Sequence, residues 1–175
     1  MLPDPVVKPA APLGKGMLIA AWVCALALLT FAFGKWQQQR DYPNREVASQ
    51  VTDEEIIVTL RRNPAGHYIA AGRINGEPVQ LLVDTGATMI SVPESLMQRL
   101  QLERGPALLT STAAGPAQIY ATRIDRIELG PISLRDLRAG IDPRRRGEVL
   151  LGMNFLGPLE WSHRGDEMIL KQKRR

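Results

Sequence analysis

An apolar run that stops at a carboxylate constrains this chain more than any other stretch: Leu81-Leu82-Val83-Asp84-Thr85-Gly86-Ala87-Thr88-Met89-Ile90-Ser91. Val79, Leu81 and Val83 alternate at period two, the pattern of a strand with one face in a core. The strand therefore delivers Asp84 at its buried end, where a carboxylate is costly unless it is hydrogen-bonded or functional. Thr85 offers a hydroxyl to hold it, and Gly86 lets another backbone come close. Upstream, Asn75-Gly76 separates two β-like runs, 67–74 and 77–83. Asn-Gly between such runs is the strongest short hairpin signal, so the second arm of a hairpin leads directly to Asp84. The plainer alternative is an ordinary turn after a strand, with Asp84 hydrogen-bonding the next amides.

What the chain lacks narrows the chemistry. Its single cysteine, Cys24, lies in an N-terminal apolar run, so no disulfide forms within the chain and no Cys-rich metal site exists. The two histidines, His67 and His163, lack the short spacings of zinc ligands. There is no Gly-x-Ser-x-Gly elbow and no Gly-rich phosphate loop. Carboxylate chemistry, with no metal and no cofactor, is the main catalytic option left. The net charge of +4 is dispersed apart from Arg144-Arg145-Arg146 and the tail Lys171-Gln172-Lys173-Arg174-Arg175. Both read as solvated segments. With aromatics at 5% there is no stacking surface for single strands, so no nucleic-acid partner is expected.

The 175 residues have room for one modest domain plus appendages. Residues 1–15 form a Pro- and Ala-rich flank. Gly16 to Gly34 runs nineteen residues without a charge between Lys15 and Lys35. As a helix this stretch spans about 28 Å, enough to cross a hydrocarbon core. Trp36 follows where an indole favours the interface. A cleaved signal peptide is the rival, with Ala32-Phe33-Gly34 as its cleavage site; the length of the apolar run favours an uncleaved anchor. Residues 35–55 read as a polar tether, 56–170 as the folded domain and 171–175 as a basic tail. Two lysines precede the run and Lys35, Arg40 and Arg45 follow it, so the positive-inside rule does not decide the orientation.

Within 56–170 the elements read as mainly β. Ile56 to Leu60 is a first strand, and Pro93 to Leu100 a short helix with Leu96, Met97 and Leu100 on one face. Leu108–Thr112 and Ala117–Leu129 are two β-like arms around the small tip Ala113-Ala114-Gly115-Pro116. A tight turn at Gly130-Pro131 leads into a strand from Ile132 to about Ile141, and a charged loop covers 142–147. Val149-Leu150-Leu151-Gly152-Met153-Asn154-Phe155-Leu156 sets a glycine between an apolar triplet and a helix-like segment. A hairpin over Leu159–Ser162 and Met168–Leu170 closes the chain.

Leu82-Val83-Asp84-Thr85-Gly86-Ala87 resembles the active-site segment of aspartic peptidases. The match is closest to the retropepsins, the single-lobed kind found in retroviruses and in a family of membrane-anchored bacterial proteins. Leu150-Leu151-Gly152 is similar to their second hallmark, an apolar pair and glycine packed across the catalytic loop. The resemblance covers residues 55–170 and implies a single-lobe acid-protease closed barrel with one or two short helices, preceded by one N-terminal transmembrane helix. It implies Asp84 as the catalytic carboxylate and Thr85, Gly86, Ala87 and Gly152 as supports of its loop. The flap over a peptide substrate would include Ala113, Ala114 and Gly115. It further implies an inside N-terminus, with the domain in the periplasm of a bacterial inner membrane.

The mechanism of that family needs two carboxylates gripping one water. Like charges that close cannot both ionise, so the pair shares a proton and titrates as a unit. This chain has one Asp-Thr-Gly, and a lobe of about 115 residues leaves no room for a second. A symmetric homodimer giving one Asp84 per chain is expected. Asp125, Asp136, Asp142 and Asp166 lack the glycine context and read as surface or loop charges. Two rivals belong to other classes. Phosphoryl-transfer families also end an apolar strand in a nucleophilic Asp, but resemble Asp-x-Asp-Gly-Thr or Asp-Lys-Thr-Gly-Thr, unlike Thr85-Gly86-Ala87 here. The other rival is a catalytically inactive lobe serving as a membrane-tethered dimerisation or peptide-binding module.

Overall fold

The hairpin that the Asn-Gly pair predicts is the organising piece of the barrel. In the computed structural model, which describes residues 14–112 and 115–174, β3 (Tyr68–Ile74) and β4 (Glu77–Val83) pair antiparallel with Ile74 opposite Glu77. Asn75 and Gly76 both take positive φ, 52° and 87°, as a two-residue hairpin turn matching the strand twist requires. Before the hairpin lie α1 (Lys15–Asp41), β1 (Ala48–Val51) and β2 (Glu55–Arg61); after it come β5 (Ile90–Pro93), β6 (Ala107–Thr112), β7 (Gly115–Leu129), β8 (Ile132–Asp142), β9 (Val149–Leu151), α2 (Met153–Leu156), β10 (Glu160–Arg164) and β11 (Glu167–Lys173).

One sheet runs β3-β4-β9-β5-β8-β7-β6, and a further pairing of β3 with β7 closes six of its strands into a ring. Gly72 to Ile74 face Leu129 to Ile127 at that seam. The mainly β, closed-barrel fold expected from the sequence is what the chain adopts. Two parallel pairs, β4 with β9 and β5 with β8, sit among antiparallel neighbours. Such pairs cannot be joined by hairpins and need longer crossover connections. A second sheet, β1-β2-β11-β10, packs against the ring. Val58 and Leu60 of β2 and Met168 and Leu170 of β11 join Leu81, Ile90, Ile124, Ile127, Ile141 and Phe155 in one core.

α1 runs 27 residues and is long and apolar enough to cross a membrane. Its apolar side chains, Trp22, Leu28, Phe31 and Phe33 among them, are exposed and lie all round its axis. The helix continues past the expected end at Gly34 to Asp41, through glutamines and Arg40 that favour helix.

Three expectations need correction. The polar stretch read as a tether carries structure from residue 44 onward. Asn44 is buried, and its side-chain amide donates to the carbonyls of Arg61 (2.9 Å) and Ile69 (2.8 Å) while its oxygen accepts from Arg61 N–H (2.6 Å). β1 follows and pairs with β2 from Ala48 opposite Thr59 to Val51 opposite Ile56. This edge strand is wholly exposed, so no hydrophobic alternation marks it. The basic tail likewise extends β11, with Lys173 opposite Glu55. Finally, Pro93 ends strand β5, and the expected helix shrinks to a 3₁₀ turn at Glu94–Leu96 and irregular turns after it. Parallel pairing of Pro93 with Asp142 competes with helix at that point, and pairing wins.

Candidate active site

Asp84 stands one residue beyond β4, where the parallel partner β9 also ends. Val83 lies opposite Leu151, and Asp84 N–H donates to the Leu151 carbonyl at 3.0 Å. The carboxylate is half-buried, whereas Thr85 and Gly86 are exposed. A tight turn follows, with Ala87 N–H donating to Asp84 carbonyl (3.3 Å) and Gly86 N–H donating to Asp84 Oδ1 (2.9 Å). The local hydrogen bond that a plain Asp-Thr-Gly turn would make is therefore present. It also orients the carboxylate, holding Oδ1 while Oδ2 makes no hydrogen bond among the described residues.

The loop 84–89 is clamped from below by the start of α2. Met153 N–H donates to Ala87 carbonyl (2.8 Å) and Asn154 N–H to Thr88 carbonyl (3.1 Å). These are the amides a helix leaves unsatisfied in its first turn, here taken up by the loop. Gly152 makes the clamp possible. A Cβ there would lie 2.6 Å from Met89 N, 2.7 Å from Met89 O and 2.8 Å from Ala87 O. Its φ of −94° is ordinary, so glycine is required by close approach and not by backbone conformation.

Asn154 completes the arrangement and was not singled out from the sequence. Its Oδ1 accepts from Ile90 N–H (2.9 Å) and its Nδ2 donates to Arg138 carbonyl (2.6 Å). One side chain thus ties the exit of the Asp84 loop to β8. The signal was available: a lone amide inside the apolar segment Val149–Leu156, where an unpaired polar group would be costly.

Of the residues expected to form the site, Asp84, Thr85, Gly86, Ala87 and Gly152 come together in this loop and clamp. The flap expectation rests on β6 and β7, which pair from Ala107 opposite Tyr120 out to Thr112 opposite Gly115. Gly115 has φ +100°, and Ala113 and Ala114 lie outside the described residues. Of the other acids, Asp125 is exposed, and Asp136, Asp142 and Asp166 make local contacts. Arg123 hydrogen-bonds Asp136 and holds its carboxyl below the usual carboxylate range, and Asp142 Oδ1 accepts from Arg144 N–H (2.9 Å). Asp166 lies near Arg62 at 3.9 Å.

The chain is similar to several known proteins. Residues 70–158 match a family model described as "gag-polyprotein putative aspartyl protease". A curated Sinorhizobium protein, described as an uncharacterized protein in the cobV 5' region, is 29% identical over 175 aligned positions, covering 90% of this chain and 74% of that one. Among solved structures, a retropepsin-like aspartic protease from Rickettsia conorii shares the fold with a TM-score of 0.58. It is 19% identical, over 73% of this chain and 95% of that chain. The EIAV protease complexed with the inhibitor HBY-793 aligns over 54% of this chain and 89% of its own, with 20% identity and a TM-score of 0.42.

Proposed function

Because the chain belongs to the gag-polyprotein aspartyl protease family, we propose that it is a membrane-anchored aspartic endopeptidase whose active unit is a homodimer. One observation carries this reading. A single half-buried Asp84 carboxylate ends β4 beside the exposed Thr85 and Gly86. A two-fold axis would set this loop against the same loop of a second copy, because such an interface uses one patch on both subunits. Two Asp84 carboxylates brought together share one proton, since both cannot ionise at hydrogen-bonding distance.

The chemistry follows from that shared proton. The ionised carboxylate takes a proton from a water held between the pair, and the resulting hydroxide attacks the peptide carbonyl carbon. The protonated carboxyl donates to the carbonyl oxygen, so charge does not accumulate in the tetrahedral intermediate. Collapse breaks the C–N bond: the proton taken from water passes to the departing amine, and one hydroxyl of the intermediate returns its proton to the carboxylate that had donated one. The hydrogen bond from Gly86 N–H orients the carboxylate, and the clamp by Gly152, Met153 and Asn154 holds the loop still. Precise placement of that kind supplies much of the rate in any such reaction. The β6–β7 hairpin would cover an extended peptide, read by strand-like hydrogen bonds. α1 is long and apolar enough to anchor the chain in a membrane; on this reading that membrane is the bacterial inner membrane, with the domain on the periplasmic side.

Asp84→Asn preserves size and the Oδ1 acceptor but removes the ionisable group, so peptide hydrolysis should vanish while fold and dimerisation persist. Mixing tests the two-chain unit. Equal amounts of wild type and Asp84→Asn, exchanging freely at saturating concentration, pair randomly and leave about a quarter of the all-wild-type activity. Independent active chains would leave about half. Substantial turnover by Asp84→Asn would refute the mechanism. Dimerisation without any turnover by wild type would favour a binding module instead.

A further inference from the structure

The junction between α1 and the domain limits how far from a membrane the site can work. A flexible tether over residues 35–55 would let the domain range to about 70 Å. Instead α1 continues to Asp41, and the chain is bound into the domain at once. Asp41 carbonyl accepts from Asn63 Nδ2 at 3.3 Å. Three residues later the buried Asn44 forms a parallel bridge with Ala70, and its carbonyl accepts from Ala71 N–H at 3.1 Å. Only Tyr42 and Pro43 lie between these attachments, so the junction has little slack.

Both attachments lie toward the end of the β3–β4 hairpin that carries Asp84. Asn63 shapes the turn into β3: its N–H donates to His67 carbonyl (2.8 Å), and its Oδ1 accepts from His67 N–H (2.9 Å). Tyr68 comes next and stands opposite Val83, and Asp84 follows Val83. Three steps therefore connect Asp41 to Asp84: to Asn63, to His67, and across the open end of the hairpin. Each spans about 5–7 Å between Cα atoms, which keeps Asp84 within about 20 Å of Asp41. On the other side of Asp41, the charge-free run ends at Gly34, and Trp36 marks the interface. Lys35 to Asp41 as helix rise about 10 Å, a little more than the ~5–8 Å of one headgroup layer. With α1 in a membrane, chain connectivity holds Asp84 within about 30 Å of the hydrocarbon edge, whatever the tilt of the helix. A small folded domain is itself about 30 Å across, so none fits between the cleft and the bilayer. An extended segment of about nine residues spans the same gap.

We propose that this site cuts membrane-anchored proteins in the unfolded segment beside their own spans, within about ten residues of the bilayer. The inference rests on the anchored-endopeptidase reading and adds the substrate class. Confinement of both proteins to one plane raises their effective concentration, a gain that a soluble peptide does not share.

The test places the full chain in vesicles with a single-span substrate. The substrate carries one sequence, selected from a peptide library because the purified chain cuts it as a free peptide. That sequence sits either about six residues from the span or beyond a helical Glu-Ala-Ala-Ala-Lys spacer of about forty residues, roughly 60 Å long. The near site should be cut about tenfold faster than the far one, or more. A variant with a Gly-Ser linker of about forty residues between Gln39 and Arg40, adding an r.m.s. reach of about 35 Å, should cut both sites. Equal cutting of near and far sites by wild type would overturn the proposal. So would a far site that resists the linker variant while that variant cuts the free peptide like wild type. Failure to cut any free peptide would instead remove the peptidase reading, and the substrate class with it.

Discussion

Gly152→Ala is the sharpest test of how the site is held. The backbone conformation at Gly152, φ −94° and ψ −171°, is open to alanine, so conformation imposes no penalty. Removing glycine from the unfolded chain should even stabilise the fold by about 0.4–1 kcal/mol. Packing works against this. The added methyl would meet Met89 N, Met89 O and Ala87 O at 2.6–2.8 Å, all backbone atoms of the Asp84 loop. Reaching ordinary contact requires the loop to move by about 0.7–0.9 Å, since carbon contacts settle near 3.5 Å. That movement strains the bonds from Met153 N–H to Ala87 and from Asn154 N–H to Thr88. Overpacking against rigid atoms costs about 1–3 kcal/mol, so a net loss of about 1–2 kcal/mol is expected. The effect on activity should be larger, because a misplacement near 1 Å costs about a hundredfold in rate. Gly140→Ala is the control: its methyl would meet only side-chain atoms of Ile119, the nearest being Cδ1 at 2.5 Å, and these can rotate away. Denaturant unfolding and kcat/KM on a peptide substrate read both quantities. Gly152→Ala with wild-type stability and turnover would refute the clamp, as would an equal loss in Gly140→Ala.

Three further outcomes are expected. Asn154→Ala leaves the buried Ile90 N–H without its acceptor and frees β8 from the loop; a loss of about 2 kcal/mol in unfolding experiments, with a fall in kcat, checks it. Asn44→Ala removes three hydrogen bonds joining β2 to β3 and should cost about 2–3 kcal/mol, whereas a dispensable tether would give a change near zero. If α1 is an uncleaved anchor, the protein stays with membranes through a high-salt wash, and a C-terminal reporter active only in the cytoplasm is silent. A signal from that reporter would reverse the assigned topology.

Local chemistry made much of this protein legible before any coordinates. The Asn75-Gly76 turn needs only two residues with positive φ, and the alternation of Val79, Leu81 and Val83 needs only a half-buried strand. Together they place Asp84 at a strand end from sequence alone. The same holds for α1, since nineteen residues without charge leave few alternatives to a long apolar helix. The tertiary structure decided what depends on distant partners. Residues 44–51 carry no apolar period, so their membership of the domain rests on Asn44 reaching Arg61 and Ile69 and on β1 finding β2. Pro93 to Leu100 has helix-like spacing, yet parallel pairing with β8 takes its first residue into a strand. Asn154 reads as an ordinary polar residue until the fold brings Ile90 N–H and Arg138 carbonyl to either end of its amide. Periodicity reports which face of an element is buried. It carries no information about which remote backbone group will need a hydrogen bond, because that need arises only once the strands have met.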